Sequence, residues 1–179
     1  MALRSTADRY GTLPAAIHWL TALAIVLLLA SGQTMSLSDG LVATILPVHV
    51  SLGLLVGVLT LFRILWWVAF DRHPAPQAGM SRAQENLAKL VHTGLYASIL
   101  VMVASGVGML ALTGAFPLVF SGGPLPQFSA VPPFQAHSLL SKLLFVLALG
   151  HIAAALYHQL VKRDGLIGRM GFGGAPSRR

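Results

Sequence analysis

Four long apolar stretches, at residues 14–37, 46–70, 90–112 and 134–161, constrain this chain more than any other feature. About 20 residues suffice for a helix to cross a hydrocarbon core of roughly 30 Å, and each stretch is long enough. A backbone in lipid has no water to bond its N–H and C=O groups, so a spanning segment is a helix or part of a closed barrel. None of the four shows the period-two alternation of a barrel strand. The expected fold is therefore all-α: an integral membrane four-helix bundle, one domain over residues 1–179. Only 9% of the residues are charged, against roughly 25% in a soluble domain. A water-facing surface cannot be built from so few charges, which excludes a soluble globular enzyme.

The first stretch has a rival reading as a secretory signal, because Arg4 and Arg9 precede it and Ala30, Ser31 and Gly32 close its apolar part. Its length exceeds the ~7–15 residues of a signal core, and it carries His18 and Trp19 near its start, so a retained helix is expected. The connections set the orientation. The first contains Asp39 and no Lys or Arg, and the third, rich in Gly, Pro and Phe, contains no charge. Basic residues gather in the N-terminal tail, the second connection and the C-terminal tail. Positive loops stay cytoplasmic, so both termini are expected in the cytoplasm, in a multi-pass membrane protein. The net charge of +7 thus reads as membrane-orienting charge rather than a nucleic-acid surface. The third connection is apolar enough to lie against the bundle, and residues 171–179 read as a disordered tail.

Seven histidines stand against five acidic residues. His18, His49, His92, His137, His151 and His158 fall within or at the edge of the four stretches; His73 lies outside them. An ionisable side chain at membrane depth faces the bundle interior and needs a partner. One such histidine is explained by an interhelical hydrogen bond, but six with few carboxylates nearby call for an acceptor from outside the protein. Depth sorts them. His18 and His92 lie near the cytoplasmic ends of the first and third helices, while His49 and His137 lie near the opposite ends of the second and fourth. His151 follows His137 by 14 residues, about four turns on nearly the same face and ~21 Å away. Two layers result: His49 with His137, and His18 with His151. Paired neutral imidazoles on facing helices are the axial ligands of b-type haem. The chain has no cysteine, so covalent c-type attachment is excluded and any haem is non-covalent. Zinc would need three or four ligands at one depth, which the pattern does not offer.

Other residues fit around that pattern. Gly53 and Gly57 follow His49 on one face, and Ser141, Ala148 and Ala155 flank the fourth-helix histidines; small residues admit a flat macrocycle or close helix packing. Arg63 shares the face of His49 at the cytoplasmic level, suited either to a haem propionate or to snorkelling. Lys142 has three open uses: snorkelling, a propionate contact, or a positive mouth that draws an anionic donor. His92 and His158, with Lys89, Tyr96 and Tyr157 near in sequence, are candidates for a quinone site or for alternative ligation.

These residues resemble the prokaryotic cytochrome b-561 family of four-helix di-haem membrane cytochromes. The matching pieces are Ile17-His18-Trp19; His49-x-x-x-Gly53 with Arg63-Ile-Leu-Trp66; Lys89-Leu-Val-His92-x-x-Leu-Tyr96; and His151 to His158 followed by Arg163-Asp164-Gly165 and Arg169-Met170. The resemblance implies two b haems on His18, His49, His137 and His151, and electron exchange with the membrane quinone pool. Some members are superoxide oxidases, which pass an electron from periplasmic superoxide to ubiquinone; others anchor a hydrogenase or formate dehydrogenase. The leading expectation is superoxide:quinone oxidoreduction. The rivals are an anchor wiring a separate dehydrogenase to quinone, and a haem-free proton or ion pathway through the same histidines.

Overall fold

The structure is a computed structural model that describes residues 2–77 and 79–171. The expected disordered tail therefore falls, apart from Gly171, outside the described residues. Those residues are all-helical, and four of the helices are long and apolar enough to cross a membrane. They are α1 (Thr12–Leu37), α2 (Val42–Ala69), α3 (Arg82–Thr113) and α5 (Pro132–Tyr157), which a π-helical turn at His158–Lys162 extends. A short α4 (Phe116–Ser121) lies between the last two.

Local chemistry explains where these helices begin and end. Helix α3 begins at Arg82 rather than at the apolar residue Leu90, because Ser81 and Gln84 form a reciprocal capping box that starts the helix in polar sequence. It stops at Gly114, whose φ of 65° is left-handed and free of Cβ strain in glycine. Helix α2 contains Pro47, which cannot donate to the preceding turn; the Ser51 hydroxyl donates to the Pro47 carbonyl at 2.8 Å. Pro132 opens α5, where a missing N–H costs nothing.

Helix α3 packs on α5, α1 on α2, and α2 on α3. One buried residue from each long helix (Ala24, Val56, Ile99 and Leu144) forms an apolar layer at mid-height, with Leu28, Leu52, Leu95 and Met102 around it. A second cluster joins Leu110, Ala115 and Val119 to Leu46, Val50, Leu125 and Phe128, so the third connection folds down onto one end of the bundle. The outer faces are apolar and exposed: Leu65, Val68, Leu139 and Val146 are each more than 60% accessible. Lipid is the solvent such faces suit.

At the opposite end the two tails and the second connection interlock. Asp71 accepts from the Ser5 N–H at 2.9 Å, the Ser5 hydroxyl at 2.9 Å and the Trp66 indole at 3.1 Å. The Arg169 guanidinium donates to the Asp8 carbonyl at 2.9 Å, the Ala75 carbonyl at 2.6 Å and Gln77 Oε1 at 3.1 Å. Trp19 and Arg9 reach the C-terminal segment through the carbonyls of Met170 and Gly171. These contacts form a cap in which residues from both ends of the sequence are held to the same end of the bundle.

Candidate functional site

The helices carry the histidines to two heights, above and below the mid-level apolar layer. At the end covered by the third connection, His49 of α2 faces His137 of α5 with ring centroids 6.4 Å apart. At the capped end, His18 of α1 faces His151 of α5 at 6.1 Å. A metal bound end-on by two imidazoles, each at about 2 Å, separates the ring centres by roughly 6 Å. Both pairs have that spacing.

Hydrogen bonds fix how the first pair presents its nitrogens. The Ser31 hydroxyl donates to the Leu28 carbonyl at 3.0 Å, so its oxygen accepts the His49 Nδ1 proton at 2.8 Å. Ser105 repeats the device: it donates to the Met102 carbonyl at 2.9 Å and accepts from His137 Nδ1 at 3.0 Å. The Met102 carbonyl shares that ring proton at 3.1 Å. With the proton held on Nδ1, both Nε2 atoms keep a lone pair for a metal. Gly32 and Gly106 stand against the two rings, where an added Cβ would lie 3.6 Å and 3.5 Å from the respective Cε1 atoms. These two serines and two glycines leave no spacing signal in the sequence, because each acts across a helix pair rather than along one.

The second pair has different surroundings. Arg63 Nη1 donates to His18 Nδ1 at 3.1 Å, and its guanidinium lies 5.8 Å from the Tyr96 ring centre. Arg63 Nε is buried without a hydrogen-bond partner among the described residues. A buried guanidinium whose hydrogen-bonded partner is a neutral imidazole lacks the anion that such a group requires. A haem carboxylate would supply one. An orphaned donor beside a correctly spaced imidazole pair therefore fits haem, and so does the space at Gly53, where an added Cβ would meet nothing within 4 Å. Gly57 differs: its added Cβ would lie 2.9 Å from Val103, so this glycine serves the α2–α3 contact.

The quinone-site candidates are dispersed. The His92 ring lies 5.1 Å from His151, its Nδ1 donating to the Ala88 carbonyl at 2.6 Å. That ring separation is too short for a metal held end-on between the two rings. Tyr96 joins Arg63, and Lys89 is exposed. His158, 9% exposed, pairs through Nδ1 with Asp164, whose other carboxylate oxygen accepts the Leu166 N–H. Lys142 is exposed on the flank that carries Leu139, Leu143 and Val146, facing away from buried Leu144. That placement suits snorkelling rather than a contact with the histidine pair.

Comparison with known proteins adds a family to this geometry. The family model described as prokaryotic cytochrome b561 matches residues 9–173. "Cytochrome b561 homolog 2" of Escherichia coli strain K12 is 29% identical over 179 residues, covering 95% of both chains. "Probable superoxide oxidase CybB" of Yersinia pestis is 26% identical over 171 residues, covering 90% of this chain and 95% of its own.

Proposed function

This chain belongs to the prokaryotic cytochrome b561 family, and from that premise we propose that it carries electrons through the membrane on two b haems, from periplasmic superoxide to ubiquinone. The observation that carries the reading is the pair of imidazole couples, at 6.4 Å and 6.1 Å, at opposite ends of one bundle. His49 and His137 would hold one haem, and His18 and His151 the other. Haem supplies a one-electron iron couple whose potential is set by axial ligation, hydrogen bonding and burial.

The chain's own residues do the rest. Ser31 and Ser105 hold the ring protons on Nδ1 and so aim both Nε2 atoms inward. Arg63 would hold a propionate, freeing His18 Nδ1 from its present role as acceptor. The basic cap faces the cytoplasm by the positive-inside rule, in the inner membrane. Quinone would meet that end beside exposed Lys89 and His92, whose imidazole can pass on a proton from the cytoplasm, while His158 is held by Asp164 and Tyr96 by Arg63. The reaction balances as two superoxide anions oxidised to two molecules of oxygen, with one quinone taking two electrons and two protons to become the quinol. The relative named as a probable superoxide oxidase supports this choice of donor.

The test begins with the dithionite-reduced minus oxidised spectrum of the purified protein and its haem-to-protein ratio. The expected result is low-spin b-type bands at two haems per chain. In proteoliposomes, externally generated superoxide should then reduce both haems, and added ubiquinone should reoxidise them. A colourless but folded preparation overturns the whole reading. Two haems that superoxide leaves oxidised, in a protein that copurifies with a soluble dehydrogenase, would replace the oxidase by an anchor.

A further inference from the structure

Two buried N–H groups that find no hydrogen-bond partner among the described residues lie one turn apart on α2: Arg63 Nε and Trp67 Nε1. Residues four apart share a helix face, so both donors address the same neighbourhood. The other two indoles are engaged: Trp19 donates to the Met170 carbonyl at 2.9 Å and Trp66 to Asp71 Oδ2 at 3.1 Å. The Trp67 ring is held on two sides. His73 stacks on it at 4.1 Å with planes 23° apart, and Tyr10 meets it edge-on at 5.9 Å. A ring fixed in this way presents its N–H in one direction. Indole and guanidinium nitrogens only donate, so what completes them is an acceptor group, and two neighbouring donors suit the two oxygens of a carboxylate. Asp71, the acidic residue nearest in sequence, already accepts from Ser5, Trp66 and the Arg72 N–H.

We propose that Trp67 donates its indole N–H to the same haem propionate that Arg63 receives, making it a positioning residue for the haem at the capped end. The assignment rests on the two-haem reading above and adds a residue to it. A donor on a propionate draws negative charge away from the iron, which disfavours the ferric state and raises the potential of that haem alone.

Trp67→Phe keeps an aromatic ring at the position and removes the N–H. In a spectroelectrochemical titration of the holoprotein, one midpoint should fall while the other stays fixed, with two haems per chain retained. The carboxylate band in the redox-difference infrared spectrum should shift with it. Tyr10→Phe, which keeps the ring that meets the indole edge-on and removes only the hydroxyl, should move neither. If Trp67→Phe does not accumulate, wild-type protein labelled with ¹⁵N-indole tryptophan gives the same answer: one of the three indole N–H bands should change between oxidised and reduced haem. Two haems with both midpoints and the carboxylate band unmoved, or no redox-sensitive indole band, would overturn the proposal and leave the two-haem reading standing. So would unmoved midpoints accompanied by loss of a tightly retained phospholipid, because the two donors would then hold a lipid phosphate. A colourless preparation removes both.

Discussion

Ser31 and Ser105 do parallel work, yet His49 and His137 depend on them unequally. The His49 ring proton goes to Ser31 Oγ, whereas the His137 proton is shared between Ser105 Oγ and the Met102 carbonyl. Partners of this kind cost about 10–100-fold in metal affinity when removed. Ser31→Ala should therefore lower haem occupancy at this level by about tenfold or more in affinity, and Ser105→Ala by less; haem-to-protein ratios during dilution or chelation measure both. Equal losses would show that the Met102 carbonyl is not a working second acceptor. At the same scale, His49→Ala or His137→Ala should remove one haem and leave the other, while His92→Ala should keep both, since its 5.1 Å ring separation from His151 leaves no room for iron between them. The histidines were legible in the sequence because an imidazole at membrane depth demands a reason. The serines were not: a hydroxyl that bonds its own turn is ordinary in a helix, and only the register of α1 against α2, and of α3 against α5, aims these two at a ring.

Along α2, two glycines at the same spacing have separate uses. Gly53 opens onto space, whereas Gly57 lets Val103 of α3 approach. Valine is stiff at χ1 and both its γ-carbons crowd the added methyl, at 2.9 Å and 3.3 Å. Gly57→Ala should thus destabilise the bundle by about 1–3 kcal/mol, visible as a lower thermal midpoint in detergent, with Val103→Ala restoring most of the loss. Gly53→Leu should leave helicity and the thermal midpoint of the haem-free protein unchanged while reducing haem retention. A Gly53→Leu protein with full haem content would remove Gly53 from the site. Sequence spacing gave both residues the same face and could not separate them, because periodicity reports angle around one helix and not the distance to the next. The four spans themselves were readable in advance, since lipid forces the backbone into helices. The early start of α3 was less so: its polar first turns carry no apolar signal, and the Ser81–Gln84 capping box is what extends it.

For the molecule as a whole, charge asymmetry predicted that both tails and the second connection share a side, and they meet in one cap. The bonds that build the cap were not legible, since Arg169 and Trp19 reach backbone carbonyls of Asp8, Ala75 and Met170, and a carbonyl has no residue signature. This cap stands at the end of the bundle where His18 and His151 lie, with Trp19, beside His18, bonded to its Met170 carbonyl. Two of its groups, His73 and Asp71, are shifted in the direction that makes the fold sensitive to acid. Burial, followed by the nearby Arg63 charge, depresses the His73 pKa, so the folded protein favours the neutral ring stacked on Trp67. Burial alone would raise the Asp71 carboxyl, but hydrogen bonds from Arg72, Ser5 and Trp66 outweigh it and hold the group below its usual range. In both cases the unfolded chain binds the proton more readily, so acid costs stability. The His73 contribution is complete above about pH 6.5 and is lost as pH falls below that value; the Asp71 contribution follows below about pH 3.9. His73→Phe keeps an aromatic stack on Trp67 without a titrating nitrogen. Thermal unfolding in detergent should therefore give parallel curves for this variant and the wild type above about pH 6.5, with the wild type falling away from it in the more acidic range. Asp71→Asn should lie below the wild type at neutral pH and converge with it only in the Asp71 range. Curves for His73→Phe that fall with the wild type would assign the acid sensitivity to the histidines inside the bundle rather than to its cap.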